Sequence, residues 1–367
     1  MALLAPLLVG LLVGCLFPFI DRFAYHDTII PSFLRVFANF DGVHYLQIAE
    51  KGYTSTQFAF FPLYPVLIKL ISFLLFHNLF YVGLFISLFS FTGFALFIKK
   101  YLALVGENNH TIFWFLLFLF SFPTSFFFVS IYSEGLFLFF FIAYLYFSHR
   151  KQWFLAFVFG YFAGLTRFVG LFLSFVNIGL FFQKEKRLPT SQLYSVCSSL
   201  APILGFLSYG VYLFVKTGDF FAFFHTLPSF GEQRSSNIIF FPQVIYRYVK
   251  ILITADHNTQ YFIAILELVS FLFSVGILLY GMFLFMKKHE KNNHLFYALA
   301  PFSLINIFIP TLTGSLSSFP RYVLMSLFIY YILAKRVPYR LKLLLVFIFL
   351  IIKTVLFGLF ARGYFIS

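Results

Sequence analysis

Uninterrupted apolar stretches recur along the whole chain, and they constrain its fold more than any other feature. Many are about 18 residues or longer, enough α-helix to cross roughly 30 Å of hydrocarbon. Hydrophobic residues fill 61% of the 367 positions and charged residues only 10%, whereas soluble domains carry about 25% charged residues. The sequence therefore predicts an all-α fold, a polytopic transmembrane helical bundle.

No soluble domain, linker or internal repeat separates the apolar stretches, so residues 1–367 are expected to form a single integral membrane domain. With short or broken helices included, about 11 to 13 membrane crossings are expected. The candidate spans are residues 2–20, 58–76, 79–98, 111–132, 134–147, 153–166, 169–182, 194–215, 260–286, 295–312, 322–334 and 343–360.

The net charge of +14 comes from Lys and Arg that cluster in short gaps between the apolar stretches. This pattern is typical of cytoplasmic loops under the positive-inside rule, and it argues against a nucleic-acid partner. The basic gaps all lie on the cytoplasmic side if residues 153–182 form a short hairpin that turns around Arg167. The basic gaps are residues 148–152, 183–187, 287–293 and 334–342.

Two longer polar interruptions, residues 21–57 and 216–259, are expected to be non-cytoplasmic loops, the first of them catalytic. If every preceding candidate span crossed the membrane once, Ser133 and Glu134 would lie on the cytoplasmic side, whereas this arrangement needs them on the other side. Pro123 offers a solution, because proline removes a helical hydrogen bond and breaks a helix. Residues 111–132 are therefore expected to be two half-helices.

The remaining signals argue against several other classes of protein. Residues 2–20 lack the basic start and small-residue cleavage pattern of a signal peptide, so they are expected to be a retained first span. Cys15 and Cys197 both lie in apolar segments, which indicates neither a disulfide framework nor a zinc site. No Walker A, GxGxxG, GxSxG or HExxH pattern indicates cytosolic nucleotide or hydrolase chemistry.

Asp41 and His44 are spaced three residues apart, so a short helix places them on one face. A carboxylate in that position is able to take a proton from an acceptor hydroxyl. The alternatives are a hydrated loop in which Asp41 caps a helix, or a weak Asp41–His44 metal pair without a nearby third ligand.

Three more ionisable residues lie beside or within apolar runs, where charge is costly and typically functional. Glu134 either bonds a sugar or a neighbouring side chain, or complements the positive end of a helix that Ser133 caps. Arg167 and Arg321 either bind phosphate or carboxylate in a fork geometry, or anchor helices at the membrane interface.

The second long loop mixes charged residues with aromatics in "KTGDFFAFFHTLPSFGEQR", residues 216–234. This composition is typical of an interfacial amphipathic segment that shapes a lipid or sugar groove. Asp219, His225 and Arg234 are its candidate substrate-binding residues.

Six stretches of the chain, taken in order, resemble the GPI mannosyltransferase II family, the PIG-V-like branch of the GT-C membrane glycosyltransferases. They extend over most of the chain, and Phe40 stands where the family usually has Trp. The shorter length of the chain implies a prokaryotic relative. The stretches are "FDGVHYLQIAEKGY", "FAFFPLYP", "YSEGLFLFF", "GLTRFVGLFL", "GDFFAF" and "SLSSFPRY".

The resemblance implies transfer of mannose or a similar hexose from a polyprenyl- or dolichyl-phosphate sugar to a lipid-linked or glycan acceptor, on the non-cytoplasmic face. The expected membrane is the plasma membrane in a prokaryote or the endoplasmic reticulum in a eukaryote. No cofactor is required, although a divalent cation, Mg²⁺ or Mn²⁺, stays an open alternative.

Within that family reading, Asp41 is the expected general base of an inverting displacement, positioned with the sugar by His44 and Glu134. Arg167 and Arg321 are expected to hold the donor phosphate. The further expected substrate-binding residues are Tyr45, Tyr64, Tyr132, Ser133, Asp219, His225 and Arg234.

Two functions of other classes also explain buried charge in a helical bundle. A lipid or glycan transporter, or flippase, keeps Arg and Glu within its core and predicts pseudo-symmetric halves. A non-catalytic scaffold predicts that function survives neutralisation of the Asp41 loop.

Overall fold

A computed structural model describes residues 4–21, 24–27, 29–74, 78–176, 189–230, 235, 237–287 and 293–366. Within these ranges the fold is all-helical and contains no strand. The longer helices are α1 (Ala5–Gly14), α2 (Asp41–Lys51), α3 (Leu63–Leu74), α4 (Leu79–Leu104), α5 (Asn109–Ser121), α6 (Glu134–His149), α7 (Trp153–Thr166), α8 (Pro189–Thr217), α9 (Phe241–Thr254), α10 (Thr259–Lys287), α11 (Asn293–Thr311), α12 (Phe319–Met325), α13 (Leu327–Arg336) and α14 (Tyr339–Ala361).

Five of these helices are long and apolar enough to cross a membrane: α4, most of α8, α10, most of α11, and α14. Shorter apolar helices of 10–17 residues, including α5, α6 and α7, pack among them. Large side chains such as Leu8, Leu12 and Phe347 remain exposed on the outside of the bundle. This arrangement, with apolar surface facing outward, is that of a helical membrane protein, as the sequence predicts.

Helix α6 begins at Glu134 and ends at His149, and these residues mark the two ends of the bundle. The ring of His149 lies 5.7 Å from that of His294. The basic gap at 148–152 therefore lies beside the start of α11, which follows the predicted basic gap 287–293. The predicted basic gap at 183–187 lies outside the described residues.

A third basic gap joins the same end. Lys335, in the last turn of α13, donates to the Glu107 carboxylate over 2.9 Å. Glu107 follows α4, whose Tyr101 packs against His149 with ring centroids 6.3 Å apart. Three of the four predicted basic gaps thus lie toward the end of the bundle opposite Glu134.

The predicted span 58–76 is corrected, because helix α3 does not cross the bundle. The Tyr64 hydroxyl, in its first turn, donates to the Gly83 carbonyl over 3.0 Å, beside the start of α4. The last residue, Leu74, is joined to Leu79 through five Cα–Cα intervals, which span at most about 18 Å. Both ends of α3 therefore lie toward the Glu134 end, which places Lys100 at the opposite, basic end.

The predicted break in residues 111–132 is found, but the second of the two expected half-helices is not. Helix α5 ends at Ser121, just before Pro123, and a single 3₁₀ turn at Ser125–Phe128 precedes α6. The carbonyl of Phe120, in the last turn of α5, accepts a hydrogen bond of 3.0 Å from the buried Lys353 ammonium of α14. The break is thus packed and hydrogen-bonded inside the bundle, where irregular backbone is tolerated.

The predicted turn at Arg167 is also found. Helix α7 ends at Thr166, Arg167 is extended, and the following 3₁₀ turn folds back onto α7. A Cβ at Gly170 would overlap the Ala163 carbonyl, and a Cβ at Gly164 would overlap the Pro202 carbonyl of α8. Small residues therefore allow the close helix contacts on which membrane helix packing depends.

The predicted span 322–334 is two helices, α12 and α13, rather than one. The chain bends at Ser326, which separates them, and the Asn306 side chain of α11 donates to the Ser326 hydroxyl over 3.0 Å. This bend leaves α12 as a short helix that carries Arg321 toward Glu134.

Candidate active site

Asp41 is the first residue of α2, and the backbone immediately before it is strained. Phe40 has φ 57°, a left-handed conformation that bulky residues rarely adopt. Its ring is packed against the rings of Phe360 and Phe365, with centroids 5.6 and 5.4 Å away. Such strain persists only where the surroundings enforce it, and it is concentrated at functional sites.

The buried Asn39 ties this turn to the rest of the bundle. Its side-chain amide donates to the Phe360 carbonyl of α14 over 3.1 Å, and its carbonyl accepts from the Tyr132 hydroxyl over 2.9 Å. The Ile131 amide also donates to the Phe37 carbonyl over 2.8 Å. The start of α2 is therefore fixed against both α14 and the helix break.

Glu134 begins α6 directly after the break, and its side chain is completely buried. Ser133 precedes it, but the Ser133 hydroxyl does not cap the helix. That oxygen instead accepts hydrogen bonds from the Tyr45 hydroxyl over 2.8 Å and from Nη1 of Arg167 over 3.0 Å. The sequence alternative of a simple helix cap is thus not what the structure contains.

Arg321 bridges the two carboxylates. Its Nη1 lies 2.8 Å from Oδ2 of Asp41, and its Nε and Nη2 lie 3.0 and 2.5 Å from Oε1 of Glu134. The guanidinium carbon lies 4.8 Å from the ring centroids of both Phe127 and Tyr132. Charge-assisted bonds and cation–π contacts hold this side chain in one orientation.

Arg167 approaches Glu134 from the other side. Its Nη1 lies 2.9 Å from Oε1 of Glu134, the same oxygen that Arg321 contacts. The arginine side chains are 17% exposed at Arg167 and 8% at Arg321, and the Asp41 side chain is 23% exposed. One carboxylate oxygen therefore joins both predicted arginines, and the scattered charged residues converge as the sequence predicts.

His44 shares the face of α2 that carries Asp41, as its spacing predicts. Its Nδ1 lies 3.3 Å from the Gln57 side-chain amide, and its ring stacks on Phe60 at 5.0 Å. Burial lowers the pKa of the imidazole below its ordinary 6.5, and the Asp41 carboxylate partly offsets this effect. His44 is therefore neutral at pH 7, and only one ring nitrogen carries a hydrogen.

These residues line a cavity of about 520 Å³. Its floor is polar and contains Asp41, His44, Tyr45, Ser133, Arg167 and Arg321. Its walls are mostly apolar and include Phe221, Phe223, Phe224, Leu227, Ile309 and Leu312. Phe221 is also exposed at the outside of the bundle, so a ligand with a charged head and an apolar tail fits this cavity.

Several residues predicted to bind substrate do not line the cavity. Tyr64 and Tyr132 are buried in the core, where their hydroxyls bond to Gly83 and Asn39. Asp219 and His225 pair with each other on an exposed turn, with Oδ2 and Nδ1 2.6 Å apart. Glu134 also lies behind the floor rather than on it, and Arg234 lies outside the described residues.

Other lining residues were not predicted. Thr166, Ser317 and Ser318 contribute hydroxyl groups to the cavity. The stretch "SLSSFPRY" already showed hydroxyls before Arg321, and Thr166 is adjacent to Arg167, so polarity next to a predicted arginine was the available signal. The support that Phe127 gives to Arg321 had no such signal, since the chain has 63 Phe residues.

The open alternative of a divalent cation finds no obvious protein ligand set. In the part of the chain that the structure describes, no three His, Cys, Asp or Glu side chains are grouped to hold a metal. Oxygens of both Asp41 and Glu134 already contact guanidinium groups. Among the described residues the Asp41–His44 pair thus has no third protein ligand, and a divalent cation stays an open alternative.

No protein-family model, curated protein or solved structure matches this chain. Its function is therefore inferred from the site itself. That site combines a carboxylate facing a cavity, fixed positive charge and apolar walls that reach the bundle surface.

Proposed function

We propose that the protein is a membrane glycosyltransferase that moves mannose or a similar hexose from a polyprenyl- or dolichyl-phosphate sugar to a lipid-linked or glycan acceptor. One observation carries this proposal: Asp41 and Arg167 line the polar floor of a cavity whose walls are mostly apolar. The polar floor suits a phosphate and a sugar, and the apolar walls suit the first isoprene units of the donor.

The proposed reaction is a single inverting displacement. The acceptor hydroxyl oxygen bonds to the anomeric carbon while the bond from that carbon to the phosphate oxygen breaks. The hydroxyl proton passes to the Asp41 carboxylate, and the lipid phosphate leaves with the bonding electrons. A positioned carboxylate base of this kind contributes about 10² to 10⁴ in rate.

Negative charge grows on the leaving phosphate during this step. A guanidinium fixed beforehand at the cavity floor stabilises that charge without reorganising, and the low-dielectric surroundings strengthen the interaction. Glu134 supports the proposal in a second way, since a buried carboxylate offsets the positive charge of two adjacent arginines while no substrate is bound.

The proposed topology is GT-C-like, with the cavity on the non-cytoplasmic face. Support comes from the basic residues at the opposite end of the bundle, which the positive-inside rule assigns to the cytoplasm. The cavity then opens where a lipid donor enters sideways from the outer leaflet, in the plasma membrane of a prokaryote or the endoplasmic reticulum of a eukaryote.

The test is Asp41→Asn in purified protein reconstituted into vesicles. The assay supplies polyprenyl-phosphate mannose and a membrane lipid extract, and mass spectrometry follows which lipid gains a hexose. The amide keeps the size of the side chain but is a very weak base, so turnover is expected to fall by at least about 10².

Glu50→Gln is the matched control, because Glu50 lies on the same helix, is exposed and pairs with the exposed Lys51. This variant is expected to turn over like the wild type. Wild-type turnover by Asp41→Asn would remove Asp41 from the role of base. Failure of the wild-type protein to transfer any hexose would refute the proposed function itself.

A further inference from the structure

The two arginines of the site differ in how many of their donors are occupied. All three nitrogens of Arg321 contact carboxylates: Nη1 contacts Asp41, while Nε and Nη2 contact Glu134. Phe127 and Tyr132 pack against the same guanidinium. A planar fork held in this way has little freedom to turn toward a ligand.

Arg167 is held through one nitrogen. Its Nη1 contacts Glu134 and Ser133, while Nε and Nη2 have no acceptor among the residues that the structure describes. Its side chain is also twice as exposed as that of Arg321, 17% against 8%. Arg167 therefore offers unoccupied donors at the cavity, which Arg321 does not.

We propose that the two arginines have separate roles: Arg167 contacts the lipid phosphate, and Arg321 is a positioning residue that orients Asp41. This inference rests on the proposed function and divides a role that the sequence assigns to both residues. It also identifies the reacting oxygen of the base.

Asp41 makes the division of labour specific. Its Oδ2 is occupied by Arg321 at 2.8 Å, while Oδ1 has no donor within the described part of the chain. A carboxylate held by one oxygen presents the other at a fixed angle, and catalysis depends on such orientation. The acceptor hydroxyl therefore transfers its proton to Oδ1 of Asp41.

Glu134 couples the two arginines. Its Oε1 contacts Nη2 of Arg321 and Nη1 of Arg167. This one oxygen atom therefore sets the distance between the two guanidinium groups. For Arg321 to reach a phosphate it would have to leave two carboxylates, one of them completely buried. A buried charge without its partner is strongly unfavourable, which keeps Arg321 in place.

The experiment compares Arg167→Lys with Arg321→Lys in nanodiscs. Two readouts are measured, the kinetics of hexose transfer and the equilibrium binding of polyprenyl phosphate, the leaving group. Lysine keeps the charge but lacks the fork. Arg167→Lys is expected to raise both the Kd for polyprenyl phosphate and the KM for the donor about tenfold.

Arg321→Lys is expected to lower kcat about 100-fold while the Kd for polyprenyl phosphate stays within about twofold. Phe127→Leu is a second variant, which removes a ring beneath Arg321 without changing any charge. It is expected to lower kcat about fivefold with unchanged Kd. Arg150→Lys, an exposed arginine at the opposite end of the bundle, is the control and is expected to change neither readout.

The inference is overturned if Arg321→Lys weakens polyprenyl phosphate binding as much as Arg167→Lys does, or if Arg321→Lys and Phe127→Leu both leave kcat unchanged. In either case the wild-type protein would still transfer hexose, so the proposed function would stand. If the proposed function itself is wrong, the wild-type protein is expected neither to bind polyprenyl phosphate nor to transfer hexose.

Discussion

Two groups of paired charges in this protein contrast sharply in burial. At the cavity floor, Glu134 is completely buried and shared by Arg167 and Arg321. On the turn after α8, the side chains of Asp219 and His225 pair with each other while 39% and 57% exposed. Both groups join a carboxylate to a basic side chain at short distance, yet only the first is enclosed by the bundle.

The distance between two charges alone therefore does not indicate how much an ion pair contributes to stability. Water and salt screen the Asp219–His225 pair, and exposed pairs contribute little to stability. At the floor, Glu134 has lost its water completely and depends on its two arginine partners. Removing one partner should therefore have a large effect at the cavity floor and a small effect on the exposed turn.

The largest effect is expected for Glu134→Gln, because it leaves two buried guanidinium groups without their shared carboxylate. A loss of about 3 to 5 kcal/mol in the free energy of unfolding is expected, and hexose transfer should fall with it. Glu107→Gln removes a carboxylate charge that has one cationic partner, the partly exposed Lys335, and a hydrogen bond from the Tyr331 hydroxyl, and it should cost less, about 1 to 3 kcal/mol. Denaturation in detergent measures both, and equal losses would contradict the contrast.

An intermediate effect is expected for Ser133→Ala, which leaves the buried Tyr45 hydroxyl without its acceptor. A buried donor left unpaired costs about 1 to 3 kcal/mol. The chain offers a matched control in Ser208→Ala, where an exposed serine accepts from the Tyr161 hydroxyl over 3.0 Å. Thermal melting of both variants tests the comparison, which fails if Ser208→Ala is the more destabilised.

The smallest effect is expected for Asp219→Asn. The hydrogen bond from His225 is the main cause that lowers the pKa of the Asp219 carboxyl below its ordinary 3.8. Because this pKa is depressed on folding, the pair stabilises the protein above about pH 4 and loses its effect as the pH falls further. At pH 7 the melting temperature should change by no more than about 2 °C, and the difference should shrink as the pH falls below the ordinary pKa of the carboxyl. A larger change at pH 7 would show that this pair is not screened.

Much of the fold was predictable because its signals are local. Apolar length predicted most of the helices, Pro123 predicted the break, and the isolated Arg167 predicted the turn after α7. The convergence of Asp41 with Arg321 was predictable for a different reason. Charges that are costly in lipid must find partners inside the bundle, even when they lie far apart in the chain.

The rest depends on contacts that apolar length does not encode. Helix α3 has the composition of a span, but its first turn is bonded to α4, so it starts and ends on one side. Tyr64 and Tyr132 occur in motifs beside the site, yet their hydroxyls bond to buried backbone. Asp219 pairs with His225, which is only six residues further along the chain. The pair is local and exposed, so the cost of charge in lipid does not predict it.

The hydrogen bond from Lys353 to the Phe120 carbonyl has a consequence for assembly. An ammonium in the middle of α14 is expensive while that helix faces lipid alone, and the Phe120 carbonyl at the broken end of α5 gives it an acceptor. The break after α5 is thus a docking site for α14, a helix that is synthesised more than 200 residues later. Docking of α14 therefore favours a chain in which α5 already ends at Ser121, because an unbroken helix would use the Phe120 carbonyl for its own hydrogen bond.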